Sequence, residues 1–175
     1  MKQIKTIKLI LLLSGLFFSS VVYGQLYEQF VDKTTETLGV NYNNFNFKHN
    51  LFGGFQIFQE PTVSDNDDGG KMVITVYSNV YKPGAMISIC RVFDKENNNC
   101  SGIVLIFGGH TNWQLIKILI NHFNTTPEKT LKYKNDIPYW YQNYNENMLI
   151  QTTMYEKMVS ILNCVVVEIQ YVGKK

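Results

Sequence analysis

His110 is the side chain of this sequence best placed for chemistry. It sits in Gly108-Gly109-His110-Thr111-Asn112, a glycine-rich turn between a strand-like run and a helix-like run. Exposed backbone N–H groups at such a turn can hold an anion or a carboxylate. The spacing matches neither a phosphate-binding P-loop nor a dinucleotide fingerprint, and glycines there also serve backbone geometry alone. A second group is Tyr139-Trp140-Tyr141, three aromatics that can form a stacking platform for a sugar or a partner chain, or pack beside a sheet. His110, Tyr139, Trp140 and Tyr141 are therefore the candidate ligand-binding residues. The other histidines offer less. His122 borders an apolar helical stripe, and His49 alternates with phenylalanines in a strand-like run.

The cysteines are Cys90, Cys100 and Cys164. An export signal, argued below, places them where disulfides persist. Cys90 and Cys100 flank an expected hairpin. A turn centred on Lys95 sets them opposite each other, and closing that loop contributes roughly 2–3 kcal/mol. Cys164, inside Cys164-Val165-Val166-Val167, then remains as a buried thiol. A bridge from Cys164 to Cys90 or to Cys100 is the alternative, because sequence does not fix connectivity.

Other constellations fail on spacing. Asp65-Asn66-Asp67-Asp68-Gly69-Gly70 begins like a calcium loop, but its fifth position is Gly69 and its twelfth is Val76, where an EF-hand needs oxygen ligands and a glutamate. No Cys-x-x-Cys pair and no close histidine pair suggests zinc. No Gly-x-Ser-x-Gly turn follows residue 24, so a serine nucleophile lacks its usual setting. Cys164 among valines reads as an inert thiol. Neither a cofactor nor a metal is expected. Asn99-Cys100-Ser101 and Asn124-Thr125-Thr126 match the glycosylation sequon; the signal looks bacterial, so neither is expected to be used.

The elements that position these residues follow from periodicity. Residues 26–38 read as a short helix, with a strand as the alternative, and Gly39 ends the segment either way. Asn44 to Gln59 reads as strand, with Phe45, Phe47, His49 and Leu51 at alternate positions. Pro61 to Lys71 reads as a polar loop. Met72–Val80, Ala85–Phe93 and Ser101–Phe107 are rich in Val, Ile, Tyr and Phe and form an antiparallel meander, turning at Lys82-Pro83-Gly84 and over Asp94–Asn99. A helix over about 112–124 carries Trp113, Ile116, Leu119, Ile120 and Phe123 as one apolar stripe. Lys129 to Tyr144 is aromatic and irregular. Met148–Tyr155 and Met158–Val172 read as the last strands, joined near Glu156-Lys157, with a helix over 148–162 as the alternative. The sum is an α+β fold: an antiparallel sheet of about five to seven strands with one main amphipathic helix on one face.

The N-terminus bounds where this fold works. Lys2, Lys5 and Lys8 precede an uncharged run from Leu9 to Val22, about 14 residues long, short of the ~20 that span a bilayer. Val22-Tyr23-Gly24 supplies small residues at the cleavage positions. Residues 1–24 are thus expected to be a secretory signal peptide, and 25–175 a single exported domain, periplasmic or secreted. Removing the three signal lysines leaves 13 basic against 14 acidic residues. A charge near −1 lacks the basic footprint of a nucleic-acid binder, and no later stretch is apolar enough to span a membrane.

With no catalytic constellation, the leading expectation is a non-catalytic module that binds another exported or envelope protein, inhibitor- or immunity-type roles included. A small enzyme or ligand carrier using His110 and Tyr139–Tyr141 is the rival, and a structural envelope protein the third reading. The export reading sets the first test. N-terminal sequencing of the protein recovered outside the cytoplasm is expected to begin at Gln25; a retained Met1 defeats it.

Overall fold

A computed structural model describes residues 25–47, 54–81, 84–108, 112–126, 128–159 and 162–173. Segment 1–24, expected to be a signal peptide, lies outside the described residues, and so do His49 and His110.

The molecule is built on an antiparallel sheet of nine strands. In chain order they are β1 (Phe55–Ile57), β2 (Thr62–Asp65), β3 (Lys71–Asn79), β4 (Met86–Phe93), β5 (Cys100–Gly108), β6 (Thr130–Lys134), β7 (Ile137–Asn143), β8 (Met148–Val159) and β9 (Leu162–Gly173). Helix α1 covers residues 25–35 and helix α2 covers Asn112–Thr125. The spatial order is β1-β3-β4-β5-β9-β8-β7-β6, with β2 paired beside β1 on the same edge of β3. Two meanders, β3-β4-β5 and β6-β7-β8-β9, therefore meet where β5 pairs β9. Helix α2 carries the chain from β5 to the far edge. Four strand spacings of ~4.8 Å make ~19 Å, and fourteen helical residues at 1.5 Å make ~21 Å, so the helix length matches the span it crosses.

Both helices pack on one face of the sheet, here called the inner face. Tyr27, Phe30, Val31, Thr34 and Leu38 are buried, a helical stripe at i, i+3, i+4 and i+7 that continues past α1. Tyr27 and Phe30 set their rings edge-on to Phe107 of β5, at 5.9 and 6.3 Å between centroids. From α2, Leu115, Leu119 and Phe123 join the same core as Val165, Val167 and Ile169 of β9. The seam is i, i+4, i+8, so the expected stripe is rotated: Ile116 and Ile120 are only partly buried, and Trp113 is 62% exposed. The expectation of one main helix is thereby corrected to two. They are clasped by His122 Nε2 and Asp32 Oδ1, 2.8 Å apart.

Three strands absent from the sequence reading raise the count from five to seven up to nine. β2 lies inside the expected loop 61–71 and ends in a tight turn. There Asn66 Oδ1 accepts the N–H groups of Asp68 and Gly70 at 3.0 and 2.9 Å and closes the turn. β6 and β7 lie inside the expected irregular segment. Asn135 and Asp136 join them with φ of 51° and 64°, the conformation of a two-residue hairpin turn whose twist matches the strands. The last hairpin also turns later than expected, between Val159 and Leu162. Residues 45–47 are not strand: Phe45 and Phe47 stack 5.0 Å apart, and both meet Phe93 edge-on.

The cysteines correct the expected disulfide. No bond joins Cys90, Cys100 and Cys164. The hairpin register pairs Cys90 with Val104 and Phe93 with Cys100, shifting at Val92/Phe93. The turn therefore centres beyond Lys95, and the bulge sends Cys100 to the inner face and Cys90 to the other. Asp94 Oδ1 holds this turn by accepting from Glu96 and Asn97 N–H groups, and Asn98 takes φ 61°. The Asn97-Asn98-Asn99 run thus has a structural role: Asn41 bridges to Asn99 and donates to the Asn97 carbonyl.

Among the described glycines, Gly70, just before β3, makes the closest approach to other backbone. A Cβ built on it overlaps the carbonyl oxygen of Phe93, and backbone cannot swing away as a long side chain can. Gly70→Ala is expected to lower unfolding free energy by roughly 1–3 kcal/mol, read from a urea midpoint. An unchanged midpoint shows that β3 and β4 do not approach this closely.

Candidate functional site

Strand alternation decides the fate of the aromatic run. Tyr139, Trp140 and Tyr141 are consecutive in β7, so they point to opposite faces. Trp140 is 1% exposed. Its ring packs 4.8 Å from Phe123, and its Nε1–H donates to Asn124 Oδ1 at 2.9 Å. It ties β7 to the end of α2. Tyr139 and Tyr141 stand on the second face, edge to face at 5.2 Å, with the Lys132 Nζ 5.4 Å from the Tyr141 ring centroid. Of the four candidates, then, Tyr139 and Tyr141 come together, Trp140 belongs to the core, and His110 is outside the described residues.

The second face extends that pair into a continuous surface. The register places Thr62, Ile74, Cys90, Val104, Glu168, Thr153, Tyr139 and Lys132 side by side in one row across eight strands. Along this row the chemistry changes. On β3, β4 and β5 the face is apolar: Met72, Ile74, Val76, Met86, Val92, Val104 and Ile106 are all half-buried, and none belongs to the core cluster of the inner face. On β7, β8 and at Glu168 of β9 it is polar and aromatic, while Val166 and Cys164 carry the apolar part onto β9. Tyr155 Oη donates to Glu168 Oε1 at 2.5 Å, and Gln151 Nε2 donates to Thr153 Oγ1 at 3.1 Å. Burial, helped by the bond to the Glu168 carboxylate, pushes the Tyr155 phenol up to about 12. This phenol is therefore a neutral donor at physiological pH.

A trough of about 690 Å³ lies at the polar end, lined by Lys132, Tyr141, Asn143, Leu149, Gln151 and Val172. An aromatic ring, an ammonium and two amides there offer stacking and hydrogen bonds together. They do not offer a nucleophile with a base. Among the described residues no group of three or more His, Cys, Asp and Glu gathers as metal ligands would, and no helix is long and apolar enough to cross a membrane.

The sequence signal that reaches this surface is a failure of alternation. In a sheet with one solvated face, β3, β4 and β5 should read apolar-in and polar-out. Instead Met72-Val73-Ile74, Ile103-Val104-Leu105-Ile106-Phe107 and Val165-Val166-Val167 are apolar at both phases. Val166 and Cys164, on the second face of β9, are the most enclosed of its side chains at 2% and 3% exposure.

Comparison with models of known protein families, with curated proteins and with solved structures finds no match.

The thiols provide a check on both faces. Burial raises Cys90 and lifts Cys100 to about 11. A raised thiol stays protonated below its ordinary value of 9 and loses that stabilising neutrality as pH climbs toward 11. Iodoacetamide at pH 8 is expected to modify half-buried Cys90 well before buried Cys100. Equal labelling rates, or an intact mass short by two hydrogens, overturns this register.

Proposed function

We propose that this chain is an exported, non-catalytic binding module whose working surface is the second face of its sheet. Its partner is another exported or envelope protein, and inhibitor- or immunity-type roles fall within this reading. The observation that carries it is the apolar set Ile74, Val76, Val104 and Ile106 on strands whose other face already supplies the core. The polar and aromatic half, with Tyr139, Tyr141, Gln151 and Thr153, surrounds that set on one side. An apolar patch bordered by aromatic and polar side chains has the composition of protein interfaces. The extent is also suitable. Seven strands at ~4.8 Å by about three alternate positions give roughly 700 Å², near the ~800 Å² each partner contributes to a standard interface.

Location in the periplasm or the medium belongs to the same proposal and rests on the charged start and apolar run of residues 1–22. A second reading, a carrier of small polar ligands, is favoured by the trough beside Tyr141 and Lys132. The two are separable, because a carrier needs Tyr141 and Gln151 while a docking surface needs the apolar strands.

The test is capture by the mature domain compared with its Ile74→Lys and Val104→Lys variants. Both changes lie on the second face and leave the inner core intact. A partner bound by the wild type and lost about tenfold or more by the variants, a difference of ~1.4 kcal/mol, at unchanged melting temperature, supports docking. Equal capture by all three, or no partner from the native exported fraction, defeats it. Saccharide-induced NMR shifts confined to Tyr139 and Tyr141 favour the carrier.

A further inference from the structure

Arg91 is the single arginine in a chain that otherwise uses lysine for every permanent positive charge. It is also 5% exposed, on the inner face of β4, between Val73 and Ile103 in the sheet register. Arginine is rarely buried to this degree unless a carboxylate meets it. None does. All 14 Asp and Glu residues of the chain lie within the described residues, and none pairs with Arg91.

The surroundings satisfy little of the guanidinium. Nε donates to Thr37 Oγ1 over a long 3.5 Å, and that hydroxyl itself donates to the Thr34 carbonyl at 2.6 Å. The ring of Phe45 covers Cζ at 5.1 Å from its centroid. A guanidinium has five N–H donors arranged as a planar fork. The Nη side of this fork therefore has no protein acceptor among the described residues. Two positions along β3 from the residue opposite Arg91, Thr75 is fully buried; its Oγ1 makes no hydrogen bond of good geometry, and the Tyr77 phenol lies near enough to interact with both this hydroxyl and Arg91. Arg91 and Thr75, both more than nine-tenths buried, thus sit as near neighbours on one face of the sheet, the hydroxyl without a well-formed hydrogen bond and the guanidinium with only its long bond to Thr37. Thr37 and Phe45, which cover the arginine, are themselves only half-buried, so the site is reachable from solvent.

We propose that Arg91 is a binding site for a small oxyanion of the carboxylate or phosphate class, held by the Nη fork beneath Phe45 with Thr75 Oγ1 as a further donor. The fork explains the residue type. Two parallel N–H groups match two oxygens of such an anion, which an ammonium cannot reproduce. Burial makes the charge expensive alone and strong when met. It pulls the Arg91 ionisation below the ordinary guanidinium range, and the opposing charge of an anion restores it. This site is on the helix-covered face, so it is independent of docking on the other face.

The uniqueness of Arg91 makes the test direct. A ¹⁵N-labelled mature domain carries one arginine Nε–H signal. Titration with acetate or with inorganic phosphate, at ionic strength held constant with chloride, is expected to shift that signal saturably, with a matching rise in melting temperature. Saturation by acetate alone assigns a carboxylate, and by phosphate alone a phosphoryl group. Arg91→Met keeps the bulk of the side chain and is expected to abolish the thermal response. An Nε–H signal unmoved by either anion overturns the proposal, whether or not the variant folds. So does a thermal response equal in wild type and Arg91→Met.

Discussion

The β5–β9 pairing is the contact on which the structure depends. It joins residues about sixty positions apart and converts two local meanders into one sheet. On its inner side Ile103, Leu105 and Phe107 stand beside Val165, Val167 and Ile169, each at 1% exposure or less. These are the side chains onto which α1 and α2 close. Without this pairing, β3-β4-β5 and β6-β7-β8-β9 are hairpin systems with a bare apolar face each, and small sheets of that kind are marginal in water. Closing a loop of this length costs entropy before any contact repays it, a cost the local hairpins do not carry. The span of α2 is then a consequence: the connection from a central strand to the far edge must cover four strand spacings, and it is helical because Leu115, Leu119 and Phe123 find β9 beneath them.

Legibility followed the range of the interaction that decides each element. β3, β4 and β5 were legible because their β-branched runs and turn residues act locally. α1 was legible only in part: residues 26–38 favoured a helix over a strand, and Gly39, with φ 79° and its N–H donating to the Cys100 carbonyl, closes the turns that follow residue 35. β2 was not, because Thr62–Asp65 has no apolar face and exists only as an edge paired to β3. β6 and β7 were misread for another reason: Asn135-Asp136 is a turn signal, but the aromatics around it hid the alternation. The disulfide failed by a small register error. Expecting the turn at Lys95 ignored Asp94 capping two N–H groups and Asn98 accepting positive φ, which move the centre along and flip Cys100 inward.

Within the candidate site, the same alternation divided what looked like one aromatic platform. Tyr139-Trp140-Tyr141 cannot act together on a ligand while all three belong to β7. Trp140 is held by Asn124 and Phe123 on the inner side, and its neighbours are committed to the other. This has an energetic logic. A buried indole needs a partner for its N–H, and the last turn of α2 supplies one in Asn124, so the tryptophan fixes the far half of the sheet to the helix. The tyrosines keep their hydroxyls near water and their rings beside Lys132.

What makes the second face informative is the conflict between its composition and its charge. A solvated sheet face is normally protected by polar side chains, and a soluble domain is kept apart from its copies by net charge. Here β3–β5 place Ile74, Val76, Val104 and Ile106 on that face, while basic and acidic residues after position 24 nearly cancel. Neither protection is strong. Inner-face packing does not require these residues, since a threonine or serine at each outward position preserves the strand and its hydrogen bonds. The polar half of the same face, where Gln151, Thr153, Tyr155 and Glu168 satisfy one another, shows that this chain builds the protected alternative where it is used. Apolar residues at the outward positions of adjoining strands thus lie outside the packing of the inner core, and the proposed docking role rests on them.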